Sequence, residues 1–265
     1  MHAAHPEFAG AYIVSGLLVG LLVGLTGVGG GSLMTPLLML IFGFSPATAV
    51  GTDLLFAAVT KAVGTTIHSA GKTVDWRIVG RLACGSVPAT ALVLLGLAYF
   101  GTDSKAVANA MSLTLGLTLL ISATLLILRE RILKIAARRV ETRSAQRSLA
   151  ITVVVGFIVG VLVALTSVGA GALGTIALLF LYPRLPIVRI VGSDIAHAVP
   201  LTLLAGLGHW YLGSIRLSLL EPLLIGSIPG IIIGSYAARY TPGRVLKYVL
   251  AVVLMLVGVK LLATA

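Results

Sequence analysis

Leu25-Thr26-Gly27-Val28-Gly29-Gly30-Gly31 returns as Leu165-Thr166-Ser167-Val168-Gly169-Ala170-Gly171, 140 residues later. Outward from that stretch the match continues, with the register longer by one residue. Gly51-Thr52-Asp53 returns as Gly192-Ser193-Asp194, His68 as His209, and Gly85-Ser86-Val87-Pro88 as Gly226-Ser227-Ile228-Pro229. The chain reads as a duplication: a first repeat over 1–128, a basic linker over 129–148 and a second repeat over 149–265. A duplicated membrane protein commonly places its substrate site where the copies meet.

Composition puts the chain in a membrane. Apolar residues make up 58% of it and charged residues 10%, where a soluble domain carries about a quarter charged. Each repeat divides into five apolar segments: 11–25, 32–43, 47–67, 77–100 and 105–128, then 149–166, 172–182, 187–211, 217–238 and 243–263. The expected fold is an all-α polytopic membrane protein of two five-segment repeats. The first segment has no basic stretch before it and belongs to the fold rather than to a leader. The first two segments of each repeat read as short. At 12 to 15 residues they extend only about 18–22 Å, against a hydrocarbon core of about 30 Å. They are short crossings, a broken helix or a re-entrant hairpin around the glycine-rich turn.

Charge sets the expected topology. The linker carries Arg129, Arg131, Lys134, Arg138, Arg139, Arg143 and Arg147 against Glu130 and Glu141, which marks it as cytoplasmic. With five segments per repeat, Lys72, Arg77, Arg81, Arg184, Arg189, Arg239, Arg244 and Lys247 fall on that side too. With four, several of them move outside. An odd count inverts the second repeat relative to the first and puts both termini on the non-cytoplasmic side of a cell membrane. The net charge of +11 then reads as topology signal and contact with anionic lipid headgroups. Nucleic acid is not an expected partner, because no aromatic residues interleave with the basic ones. Cys84 is the single cysteine, which excludes an intrachain disulfide. No cofactor and no metal are expected.

The glycine turns are the first candidate site. Gly27, Gly29, Gly30 and Gly31 lead into a short helix near Ser32; Ser167, Gly169 and Gly171 lead into another near Ala172. Glycine admits positive φ and close backbone approach, so such a turn can aim several N–H groups at one anion, helped by the helix dipole. The competing reading is tight helix packing. Lys61 is a basic residue well inside an apolar span, a counter-charge for a substrate or a partner for an aspartate. Asp53 and Asp194 are candidates for ion coupling or for capping a helix. His68 and His209 follow them by 15 residues, about 60° apart on one helical face, and are candidate proton shuttles. His197 has Phe56 as its counterpart. Trp76, Trp210, Tyr99, Tyr211 and Tyr240 read as an interfacial belt, and Pro88 and Pro229 as kinks.

The ordered set Gly-Val-Gly-Gly-Gly-Ser, Pro-Ala-Thr-Ala-Val-Gly-Thr-Asp and Gly-Ser-Val-Pro, with its echo, resembles the TauE/SafE-type sulfite exporter family along essentially the whole chain. The resemblance implies a secondary carrier of small anions such as sulfite, organosulfonates or related carboxylates, often outward. It maps the family's glycine turn to Gly27–Ser32 and its second copy to Ser167–Ala172. Many members carry Ser where Asp53 and Asp194 stand. The expected mechanism is alternating access around a midplane site, with proton coupling through Asp53 or Asp194 as an open option. The alternatives are a passive anion channel and, from other classes, an intramembrane hydrolase or a lipid-binding scaffold. A homo-oligomer is compatible with every one of these.

Overall fold

The computed structural model describes residues 9–26, 31–70, 74–102, 104–137, 145–169, 171–237 and 243–264. Those residues form helices and short connections, with no strand among them. In chain order the helices are α1 (Ala9–Thr26), α2 (Gly31–Leu40), α3 (Pro46–Ala70), α4 (Trp76–Phe100) and α5 (Lys105–Ala137). They continue with α6 (Ala145–Thr166), α7 (Ala172–Leu181), α8 (Ile187–Tyr211), α9 (Leu217–Ala237) and α10 (Gly243–Thr264). Every apolar segment read from the sequence is one of these helices. Among the described residues, α4, α5, α6, α8 and α9 contain stretches long and apolar enough to cross a membrane.

Lengths correct one expectation. Only α2 and α7 are short, at 10 residues each. α1 has 18 residues and α6 has 22, which at 1.5 Å per residue is about 27 and 33 Å. Apolar pattern alone undercounts α6, which begins at Ala145 rather than at 149. α5 likewise runs on to Ala137, into the basic linker, since Arg, Glu, Leu, Lys and Ala all favour helix. Pro88 and Pro229 lie inside α4 and α9 without ending them.

The halves are interleaved rather than side by side. α1 packs along α9 and α6 along α4, so the first helix of each half rests on the fourth of the other. α3 packs on α8 and α5 on α10. Glycine makes the first two crossings close. A Cβ on Gly16 or Gly20 would strike the carbonyl of Leu223 or Ser227, and one on Gly226 the carbonyl of Ile13. In the α4–α6 pair, Gly85 meets Val153, Gly156 meets Leu82 and Gly160 meets Ser86. Lipid is as apolar as leucine, so helices in it associate through such close backbone contact rather than by hydrophobic burial. Gly16 and Gly20 stand 140 residues before Gly156 and Gly160, and the two glycine-serine motifs supply Gly85 and Gly226.

α3 and α8 form the centre. From Val50 to Ala58 every residue of α3 is buried. On α5, Leu113, Leu117 and Ile121 recur every four residues and are all exposed, as a lipid-facing stripe should be. A polar group on α3 or α8 therefore has to find its partner inside the protein.

Candidate functional site

Asp53 sits in the buried stretch of α3. Its Oδ2 accepts the Thr35 N–H at 3.2 Å and also the Thr35 hydroxyl, so the carboxylate reaches across to the short helix α2. Asp194 does the same in α8. Its Oδ2 accepts the Thr175 hydroxyl at 2.9 Å, and Gly171 turns its N–H toward the carboxylate. The approach is close enough that a Cβ on Gly174 would collide with the Asp194 carboxylate. Thr35 and Thr175 are themselves 140 residues apart. Each half thus ties its short helix to its long one through the same Asp-Thr pair.

The second glycine turn has the backbone that its sequence requires. Gly169 and Gly171 both hold φ at 137°, a region essentially closed to other residues. Gly171 starts α7 with no side-chain cap, and its carbonyl accepts the Thr175 N–H at 2.9 Å. Ser167 stands where the first half has Gly27, and holds φ at 60°. Its hydroxyl lies beside the Asp53 carboxylate, short of a formed hydrogen bond. The turn of the second half therefore reaches the carboxylate of the first. Gly27, Gly29 and Gly30 lie outside the described residues. Gly31 and Ser32 open α2.

Lys61 lies in the field of the two carboxylates. It is buried, and its ammonium acts electrostatically on Asp194 most strongly and on Asp53 next. His197 lies in the same field. His197 Nε2 shares a 2.8 Å hydrogen bond with Ser86 Oγ, while its Nδ1 has no partner. Two carboxylates, one cation and the leading turns of two short helices converge here.

The histidines have separate surroundings. His209 Nε2 donates to the Ala164 carbonyl at 2.9 Å, with its Cβ packed where Gly51 leaves room. It fastens α8 to α6 and α3. Fifteen residues of helix also separate it from Asp194 by about 22 Å along the axis, too far for direct proton exchange. His68 lies on α3, with its side chain outside the described residues. Thr35, Thr175 and Ser86 belong to the candidate cluster and were not singled out by the sequence reading, although Thr35 repeats in register with Thr175.

The described residues thus form ten helices, with a pair of short ones anchored by carboxylates. The family model for the sulfite exporter TauE/SafE matches residues 12–261. The chain belongs to the TauE/SafE sulfite exporter family. It is 38% identical over 254 residues to the probable membrane transporter protein YjnA of Bacillus subtilis (strain 168), covering 94% of this chain and 98% of that protein. Probable membrane transporter protein YdhB of the same organism is 28% identical over 248 residues, covering 92% of this chain and 96% of its own. No solved structure matches the chain. TauE/SafE membership agrees with the multi-pass helical architecture and with the repeated glycine turns.

Proposed function

We propose that this TauE/SafE member is a secondary carrier of a small anion, with sulfite, organosulfonates and related carboxylates as the candidate class. Its site is the cluster of Asp53, Asp194 and Lys61 with the two glycine turns. The basic linker faces the cytoplasm, the second half is inverted relative to the first, and packed helix pairs drawn from both halves, α1 with α9 and α4 with α6, move around the cluster in alternating access.

One observation carries the reading. Both carboxylates occupy donors of a short helix, the groups an anion would seek, and both lie in the field of one buried lysine. An aspartate side chain is a tethered oxyanion, so the site is built for the substrate class and is self-occupied when empty. With both aspartates ionised, Lys61 leaves the cluster one negative charge. A substrate anion would add to it, and burying uncompensated charge is costly. The anion therefore enters together with at least one proton, which neutralises an aspartate and frees its donors.

Direction follows from the sum of gradients. A divalent anion moving with one proton still carries net negative charge, which an inside-negative potential drives outward. The proton leaves against an inward pH gradient, so export is favoured where the potential outweighs that gradient. A carrier also differs from a passive channel in saturation and counterflow. The test is uptake of labelled sulfite, sulfonates and small carboxylates into proteoliposomes loaded with the same unlabelled anion. Trans-stimulated flux of at least one of them is expected. Flux without trans-stimulation favours the channel, and no anion flux across the panel ends the proposal.

A further inference from the structure

Away from that cluster, a second polar network joins the two halves. Asp75 caps α4, its Oδ1 accepting the Arg77 N–H at 3.1 Å. Its Oδ2 accepts Arg189 Nη2 at 3.1 Å, and its own N–H donates to Ser193 Oγ at 2.8 Å. Ser193 in turn donates to the Arg189 carbonyl at 2.7 Å. One residue at the head of α4 is thus held by two residues of α8. Beside it, Arg81 Nη1 donates to the Tyr182 hydroxyl at 3.1 Å, and that hydroxyl shares a 2.8 Å bond with Thr152 Oγ1 on α6.

Its place in the fold is defined. Leu133, near the linker end of α5, packs on the cluster of Ile78, Leu82, Leu178, Leu179 and Ile190. The network therefore lies on the face of the molecule that carries the basic linker. The repeat register puts Arg216 where Asp75 stands, Tyr12 where Thr152 stands and Phe42 where Tyr182 stands. Those positions close differently. Tyr12 stacks on Phe42 at 4.8 Å and on Phe44 at 6.4 Å, and the Arg216 guanidinium lies 5.9 Å from the Phe44 ring centre. From Arg189 to Tyr211, α8 rises about 33 Å, so this aromatic set belongs to the opposite face.

We propose that Asp75, Arg189 and Ser193 form the gate on the linker face, closed in this structure, with the aromatic set as the corresponding gate on the other face. The gate extends the alternating-access reading and rests on it. Arg189 keeps 43% of its side-chain exposure and Asp75 keeps 20%. A half-exposed ion pair of this kind is weak, which suits a contact that must break in every cycle. Ser193 is followed directly by Asp194, so opening the clamp moves the backbone that carries a site carboxylate. The two faces then open under different conditions: the polar gate weakens with salt, and the aromatic one does not.

The test needs no substrate. In a Cys84→Ala background, Ser86→Cys places a thiol deeper along α4 than the clamp, at a fully buried position. A membrane-impermeant maleimide is added to reconstituted protein from the linker face, and the labelling rate is measured. Asp75→Asn, Arg189→Gln and Ser193→Ala are each expected to raise it several-fold. The exchange Asp75→Arg with Arg189→Asp is expected to bring it back toward the parent rate. Ser193→Ala leaves both charges in place and serves where a charge change prevents folding, judged by monodispersity in detergent. Unchanged labelling in folded variants overturns the gate, as does a rise that the charge exchange fails to reverse. Absence of anion flux would sink the carrier reading and leave the labelling result standing.

Discussion

Asp53 and Asp194 are equivalent in sequence and in what they touch, yet their neighbours differ. Asp53 has the Ser167 hydroxyl beside it, and Asp194 lies over Gly174 and is the stronger partner of Lys61. Ser167→Gly should keep or raise stability, because it relieves about 1 kcal/mol of left-handed strain, while altering anion affinity through the lost hydroxyl. A melting temperature more than a few degrees below the parent would contradict this. Gly171→Ala should cost about 1–3 kcal/mol, the usual cost of forcing such a backbone on a residue with a side chain, read as a lower melting temperature in detergent. His209→Ala should cost about 1–3 kcal/mol through the orphaned Ala164 carbonyl, with the pH profile of transport unchanged. A shifted pH profile would restore His209 as a proton shuttle. At this scale the aspartates, Lys61 and the glycines of the second turn were legible as candidates, while Gly27, Gly29 and Gly30 lie outside the described residues. Thr35 and Thr175 were missed because a threonine in an apolar run carries no charge to mark it. The 15-residue spacing of His209 from Asp194 was read for its angle and not for its axial rise.

The helices follow the apolar segments closely, and their departures lie at the ends. Where a helix leaves the hydrocarbon its residues turn polar, so hydropathy loses α5 past Leu128 and α6 before Leu149 while the helix itself continues. What spacing could not supply was pairing. Which helix lies on which is set by close backbone contacts at Gly16, Gly20, Gly85, Gly156 and Gly226. The sequence reading used Gly85 and Gly226 as repeat markers and passed over the other three. Gly226→Leu should therefore separate α1 from α9 and cost several kcal/mol, since the clash is with backbone that cannot retreat. Leu117→Ala, on the exposed stripe of α5, should shift the melting temperature little. Equal effects of the two substitutions would mean that the α1–α9 crossing is not a tight one.

At the scale of the molecule, the interleaving has a mechanical consequence. Because α1 rests on α9 and α6 on α4, each half is braced by the other around the α3–α8 centre. The proposed site lies in that centre, where carboxylates from both halves share the field of one buried lysine. The repeat register of the glycine turns and of the two aspartates was legible in the sequence. That the aspartates themselves occupy the short helices was not, because a sequence register gives no contacts. The central claim is that anion and proton enter this site together, and counterflow and accumulation of labelled sulfite measured side by side test it most directly. The wild type is expected to show both exchange and accumulation driven by an imposed pH gradient. Asp53→Asn and Asp194→Asn are each expected to retain exchange, while at least one loses the gradient-driven component. Gradient-driven accumulation that survives in both folded variants would contradict the account.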